Sequence, residues 1–129
     1  MSRGLDGECM ARIRERPIII YHQIGGYPPD QMAYGVTPAA FRSHLDIVSE
    51  ENLEVIPLDR MVAQMKGEAP ASPRTISLTF DGGFRDAAEN AVPILAEKGF
   101  KAAFFVPTEF VGKEHSIYGA TLPCMDWPE

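Results

Sequence analysis

Asp81 and His22 are the two residues whose type and position are suited to chemistry. Asp81 ends the run Thr75-Ile76-Ser77-Leu78-Thr79-Phe80, which apart from Ser77 is apolar or β-branched and is cut off by Gly82-Gly83. Such a run reads as a buried strand with an ionisable side chain at its C-terminal lip. In parallel α/β architectures that lip is where catalysis sits, because the strands hold their ends rigidly while the loops vary. His22 ends a second run of this kind, Pro17-Ile18-Ile19-Ile20-Tyr21. If both strands share one parallel sheet, the two side chains leave it at the same end. A carboxylate base with a histidine acid suits hydrolysis, one activating water and the other protonating the leaving group. Plainer readings stand beside these: Asp81 caps the next helix through an Asp-Gly turn, and His22 is a structural histidine at a strand end. His44, next to an apolar helical stripe, and His115, in a stretch without regular pattern, read as structural or solvated.

The elements that must position this pair follow from the pattern of apolar residues and breakers. Gln23 to Val36 holds Gly25, Gly26, Pro28, Pro29 and Gly35 and reads as a long loop. Thr37-Pro38 opens a helix, with threonine as cap and proline where a missing N–H costs nothing, and Phe41, Leu45 and Val48 form its apolar stripe. Leu53 to Leu58 reads as a short strand bent or ended by Pro57, and Asp59 to Lys66 as a helix with Met61, Val62 and Met65 inward, stopped by Gly67. Phe84 to Lys98 is helical in composition, closed by Gly99, with Pro93 marking a kink or a second start. Lys101 to Val106 reads as another buried strand, and beyond Thr108 regular pattern is lost.

Strands alternating with helices predict an α/β fold with a parallel sheet or barrel. A closed barrel takes roughly 200 residues or more. With 129 residues and about four strands, the chain predicts part of a barrel with an open edge, a place for self-association. Residues 1–16 read as a poorly ordered leader, and 17–129 as the N-terminal part of the domain.

Net charge of −6 argues against a nucleic-acid partner, which demands a basic face. Cys9 and Cys124 fit no metal-ligand spacing and read as free thiols. No apolar run is long enough to span a membrane and no secretory h-region opens the chain, so the sequence as written reads as cytoplasmic.

The strand T-F-D-G-G, with the following F-R-D-A-A-E-N-A-V-P-I-L-A-E-K-G-F-K-A-A-F-F-V, resembles the first motif, helix and next strand of the polysaccharide deacetylases, the NodB-homology or carbohydrate esterase family four enzymes. P-I-I-I-Y-H-Q-I resembles the start of their circularly permuted branch, which includes poly-N-acetylglucosamine deacetylases, and M-D-W-P-E resembles the tryptophan segment before the family's next helix. The likeness runs from about Pro17 to Trp127. It implies a distorted (β/α) barrel that removes N-acetyl groups from amino-sugar polymers with a divalent metal, usually zinc, often outside the cell. By the same resemblance Asp81 matches the general base and His22 the general acid. Gly82 stands where the family has a metal-binding aspartate, and the family's histidine ligands belong to a motif beyond the tryptophan segment. The resemblance therefore implies no metal bound by this chain and a truncated, inactive deacetylase segment.

Two other classes remain open. One is a non-catalytic carbohydrate-binding or interaction protein on the same fold, with Tyr21, Tyr27, Phe84 or Trp127 stacking on sugar rings or simply packing in the core. The other is a phosphoryl-transfer enzyme of the haloacid dehalogenase type, which needs a second aspartate where Gly83 stands.

Overall fold

The computed structural model describes residues 17–25, 35–117 and 120–126; the expected leader at 1–16, Cys9, Tyr27 and Trp127 lie outside them. In chain order the elements are β1 (Ile18–Tyr21), β2 (Gln23–Ile24), β3 (Gly35–Val36), α1 (Pro38–Glu50), β4 (Glu54–Val55), α2 (Leu58–Met65), β5 (Thr75–Asp81), a π-turn (Ala87–Ala91) running into α3 (Val92–Lys98), β6 (Ala103–Phe105), β7 (Glu114–Ile117) and β8 (Ala120–Pro123).

The strand that ends in Asp81 is the hub of the main sheet. β5 pairs in parallel with β1, β4 and β6, in registers that set Tyr21 beside Phe80, Val55 beside Ile76 and Phe105 beside Asp81. All of its residues before Asp81 are buried, as the run of apolar and β-branched residues predicts. The polar members of that run are satisfied across the sheet. Ser77 donates its hydroxyl to Ile56 O at 2.8 Å, and Thr79 donates to Ile19 O at 3.1 Å. Each such bond removes the penalty of a buried hydroxyl and ties β5 to a neighbour on one side or the other.

Alternate residues of the strands face α1 and close the core there. Phe41, Leu45 and Val48, the stripe read from the sequence, are all buried. Phe41 meets Tyr21 edge-on at 5.0 Å and Phe80 at 5.7 Å, while Phe80 stacks on Phe104 at 4.6 Å. Burial of each such ring is worth roughly 1.5 to 3 kcal/mol, with about 0.5 to 1.5 more for the paired geometry. Thr37 caps α1 as expected, its Oγ1 accepting from Ala40 N at 3.1 Å.

Several expectations need correction. β1 is not fully buried: Ile18 is 37% and Ile20 57% exposed, because β1 lies at the edge of the sheet and one of its faces is open. β6 is likewise only partly covered, with Phe105 53% exposed. In α2, Met61 is buried, but Val62 and Met65 point outward and Gln64 takes the inward place, accepting from Thr75 Oγ1 at 3.3 Å. The strand expected over 53–58 contracts to β4, since Leu58 already belongs to α2. The long loop after His22 contains a short parallel pairing of β2 with β3.

Pro93 produces no sharp break and lies in the first turn of α3, so regular α-helix starts again at the proline, one of the two outcomes expected. The helix passes through one π-turn immediately before it, which suits a residue that lacks an N–H and crowds the carbonyl four positions back. Gly99 then ends the helix at φ +67°, as its glycine predicts. The stretch after Thr108, expected to be irregular, holds a one-turn 3₁₀ helix at Thr108–Phe110 and an antiparallel hairpin of β7 with β8.

Candidate functional site

The site is built from the C-terminal ends of β1 and β5. Tyr21 and Phe80 are register partners, so the next residues, His22 and Asp81, are neighbouring positions at the same lip. Both are half-buried. Asp81 borders two clefts. One, of about 410 Å³, is lined by Asp81, Gly82, Phe105, Val106 and Pro107. The other, of about 350 Å³, runs over the open sheet face and is lined by Ile18, Ile20, Leu58, Thr79, Asp81 and Phe105. Phe105, the residue beside Asp81 in β6, was not singled out by its sequence pattern as a site residue. The signal was available: in a parallel sheet a residue in register with Asp81 shares its face.

The turn after Asp81 needs its glycines. Gly82 has φ +95° and Gly83 φ +64°, conformations that side chains with a Cβ rarely adopt. Space is equally restrictive. A Cβ on Gly82 would stand 2.3 Å from Phe84 Cε2 and 2.8 Å from its Cδ2, and one on Gly83 would stand 2.9 Å from Pro107 Cδ. Phe84 is itself fully buried. Its ring stacks with His115 at 5.8 Å, and His115 stacks with Phe110 at 4.1 Å. The chain from Gly112 onward holds the turn from the other side, with Met125 N donating to Gly83 O at 2.9 Å and Arg85 pairing with Asp126 at 3.7 Å.

The remaining candidates separate from the site. His44 accepts or shares a hydrogen bond with Tyr21 Oη at 3.0 Å on the α1 side of the sheet, so it is structural, as read. His115 is also structural, though it lies on β7 and not in a loop. Tyr21 and Phe84 pack in the core, which removes them as sugar-stacking platforms. Cys124 is a buried free thiol whose pKa burial pushes up, the opposite of what a reactive thiolate needs.

With Asp81 at the end of the central strand, the segment carrying this motif can be placed. Residues 68–122 match the polysaccharide deacetylase family. Among curated relatives, the YxkH protein of Bacillus subtilis (strain 168), named for the polysaccharide deacetylases, is 23% identical over 101 residues, covering 78% of this chain and 35% of that protein. Among solved structures, IcaB from Ammonifex degensii superposes with a TM-score of 0.75 at 18% identity, covering 88% of this chain and 45% of its own. The Streptococcus pyogenes deacetylase PplD, solved with acetate, gives 0.63 at 24% identity, covering 84% and 48%. The chain thus has the deacetylase fold and spans about a third to a half of the length of these relatives. Its sheet is open: among the described residues the strands do not close into a barrel.

The family is in general metal-dependent, but the residues present do not fit a metal. Gly82 stands where the resemblance leads one to expect a carboxylate ligand, and the space a side chain would need there is filled by Phe84. Among the described residues no group of three or more His, Cys, Asp or Glu side chains is placed to hold an ion. No helix among them is long and apolar enough to cross a membrane.

Proposed function

We propose that this chain carries the acid–base half of a hydrolase that removes N-acetyl groups from amino-sugar polymers, and that on its own it does not turn over. The observation that carries the reading is Asp81 at the lip of the central strand, within the T-F-D-G-G motif, with His22 following Tyr21, the register partner of Phe80. In this role Asp81 takes a proton from water as the oxygen bonds to the acetyl carbon, and His22 gives a proton to the sugar nitrogen as the C–N bond breaks. Zinc is the ion the family resemblance suggests for acidifying that water, and such a centre ordinarily takes three protein ligands. Gly82 supplies none, so Asp81 faces water of nearly ordinary acidity.

The test is acetate release from N-acetylated glucosamine oligomers by the purified chain, with and without added zinc. No release above background is expected. Turnover that a chelator and Asp81→Ala both abolish would show that the chain assembles a metal centre after all.

A second reading, a non-catalytic saccharide-binding module, is favoured by one observation: the open cleft at Asp81 is walled by the exposed ring of Phe105, which offers a face to a sugar. Calorimetric titration with the same oligomers distinguishes it, because binding then persists in the presence of a chelator and weakens in Phe105→Ala.

A further inference from the structure

We infer that Asn90 is a positioning residue for His22: it ties the backbone just past the histidine to the helix that follows Asp81. The inference rests on the acid–base reading above, in which His22 and Asp81 act as a pair. The ladder between β1 and β5 sets the two side by side from behind. Its last register pair is Tyr21 with Phe80, so His22 is the first residue beyond it. The direction His22 takes from there depends on what holds the chain that follows.

That chain is β2, whose residues Gln23 and Ile24 are both buried. On one side β2 pairs with β3, and Gly25 N donates to Val36 O at 3.0 Å. β3 leads directly into α1, so this pairing holds the segment to α1 and not to the motif that carries Asp81. Gln23 and Gly25 turn their backbone polar groups toward β3, and by the alternation of a strand Ile24 turns its own the other way. There Asn90 Nδ2 donates to Ile24 O at 2.6 Å. Because the partner is a carbonyl, the amide must present its nitrogen and not its oxygen. Gln23 Oε1 provides no such tie, being buried without a hydrogen-bond partner among the described residues.

The π-turn brings Asn90 to this place. Asn90 lies inside it, at Ala87–Ala91, and single π-turns within helices recur at functional sites. Ala87 and Ala91 are fully buried and too small to hold the helix away from β2, so the polar side chain between them reaches a carbonyl that is itself buried. The result is a closed ring of connections. It runs from Asp81 through the Gly82-Gly83 turn to Asn90, across to Ile24, back along the chain to His22 and Tyr21, and through the ladder to Phe80. Moving His22 relative to Asp81 therefore disturbs either the ladder or the Asn90 bond. The ladder belongs to the core of the sheet, whereas the Asn90 bond is a single side-chain contact that a substitution can remove without touching either member of the pair.

The test reads the three histidine rings of the purified chain by proton–carbon NMR at one neutral pH, in wild type, Asn90→Ala and Asp81→Asn. His44, bonded to Tyr21 on the α1 side, and His115, stacked between Phe84 and Phe110, are the internal controls. Alanine suits a helix, so Asn90→Ala is expected to fold, to move the His22 ring signals and to leave those of His44 and His115 in place. The Gly25 amide is expected to exchange with solvent about fivefold faster, the effect of losing one ordinary hydrogen bond beside it. Asn90→Asp keeps the shape but has no donor at neutral pH, and serves if the alanine variant does not fold. An unchanged His22 ring in a folded variant, or equal movement of all three rings, overturns the inference; so does failure of both variants to fold, which would make Asn90 a residue of folding and not of positioning. Asp81→Asn separates this outcome from the acid–base reading. A His22 ring that answers to Asn90 but not to Asp81 leaves the positioning role standing and removes the pair.

Discussion

Gly82→Ala isolates the contact between position 82 and the ring of Phe84. The new Cβ would have to adopt φ +95° and would stand 2.3 Å from a ring atom of Phe84, a residue buried completely and stacked against His115. The backbone strain is worth about 1 to 2 kcal/mol and displacing a packed ring roughly 1 to 3, so the loss should be about 2 to 5 kcal/mol. Gly99→Ala is the control. Gly99 also has positive φ, at +67°, but nothing lies within 4 Å of its would-be Cβ, so it carries the strain without the collision. Urea unfolding at one fixed protein concentration reads both variants. With a slope of about 2 kcal/mol per molar, the Gly82→Ala midpoint falls by roughly 1 to 2.5 M, and the Gly99→Ala midpoint by roughly 0.5 to 1 M. If the two variants lose the same stability, the Phe84 ring is not held against residue 82, and position 82 has room for a side chain.

Phe41→Ala removes a fully buried ring from between Tyr21 and Phe80, and should cost about 3 to 5 kcal/mol in the same unfolding measurement; a loss below about 1 kcal/mol would mean that α1 does not seal the sheet. Burial raises the pKa of the Tyr21 hydroxyl above its ordinary 10.0, so the folded state favours the neutral form. That contribution is complete below about pH 10 and is lost as the pH rises from there through the folded-state pKa. Wild type should therefore weaken above about pH 10 more steeply than Tyr21→Phe, and equal slopes there would remove Tyr21 as the cause.

Legibility in the sequence followed burial. The central strand, the α1 stripe and the caps at Thr37 and Gly99 could be read because each is set by a local rule: period, side-chain capping or positive φ. α2 misled because Met65 and Val62 are apolar while Gln64 is not, yet Gln64 meets the hydroxyl of Thr75, a partner that no local rule could supply. β1 misled for a related reason. Three consecutive isoleucines look the same whether a strand is enclosed or lies at an edge, and only the topology tells which. The positions of Asp81 and His22 were readable as strand ends. Their adjacency was conditional on β1 and β5 being neighbours, which the register shows them to be.

What was least legible is what holds the candidate site in shape. The Gly82-Gly83 turn has no stiffness of its own, since glycine gives the backbone its widest freedom. Its order comes from the stretch that reads as patternless. Met125 N binds Gly83 O, Gly112 N binds Met125 O and Cys124 N binds Lys113 O, so the β7–β8 hairpin and the residues after it grip the turn through backbone bonds that any sequence can make. The side chains add one constraint, the stack of Phe84 on His115 on Phe110, which joins the turn, β7 and the 3₁₀ helix. Asp81 is thus fixed from two directions, by the β5 ladder behind it and by the hairpin ahead of it. Only the first is written as a pattern of residue types. The second is a tertiary contact between segments about thirty to forty residues apart, and periodicity read over windows of 11 to 18 residues does not register it.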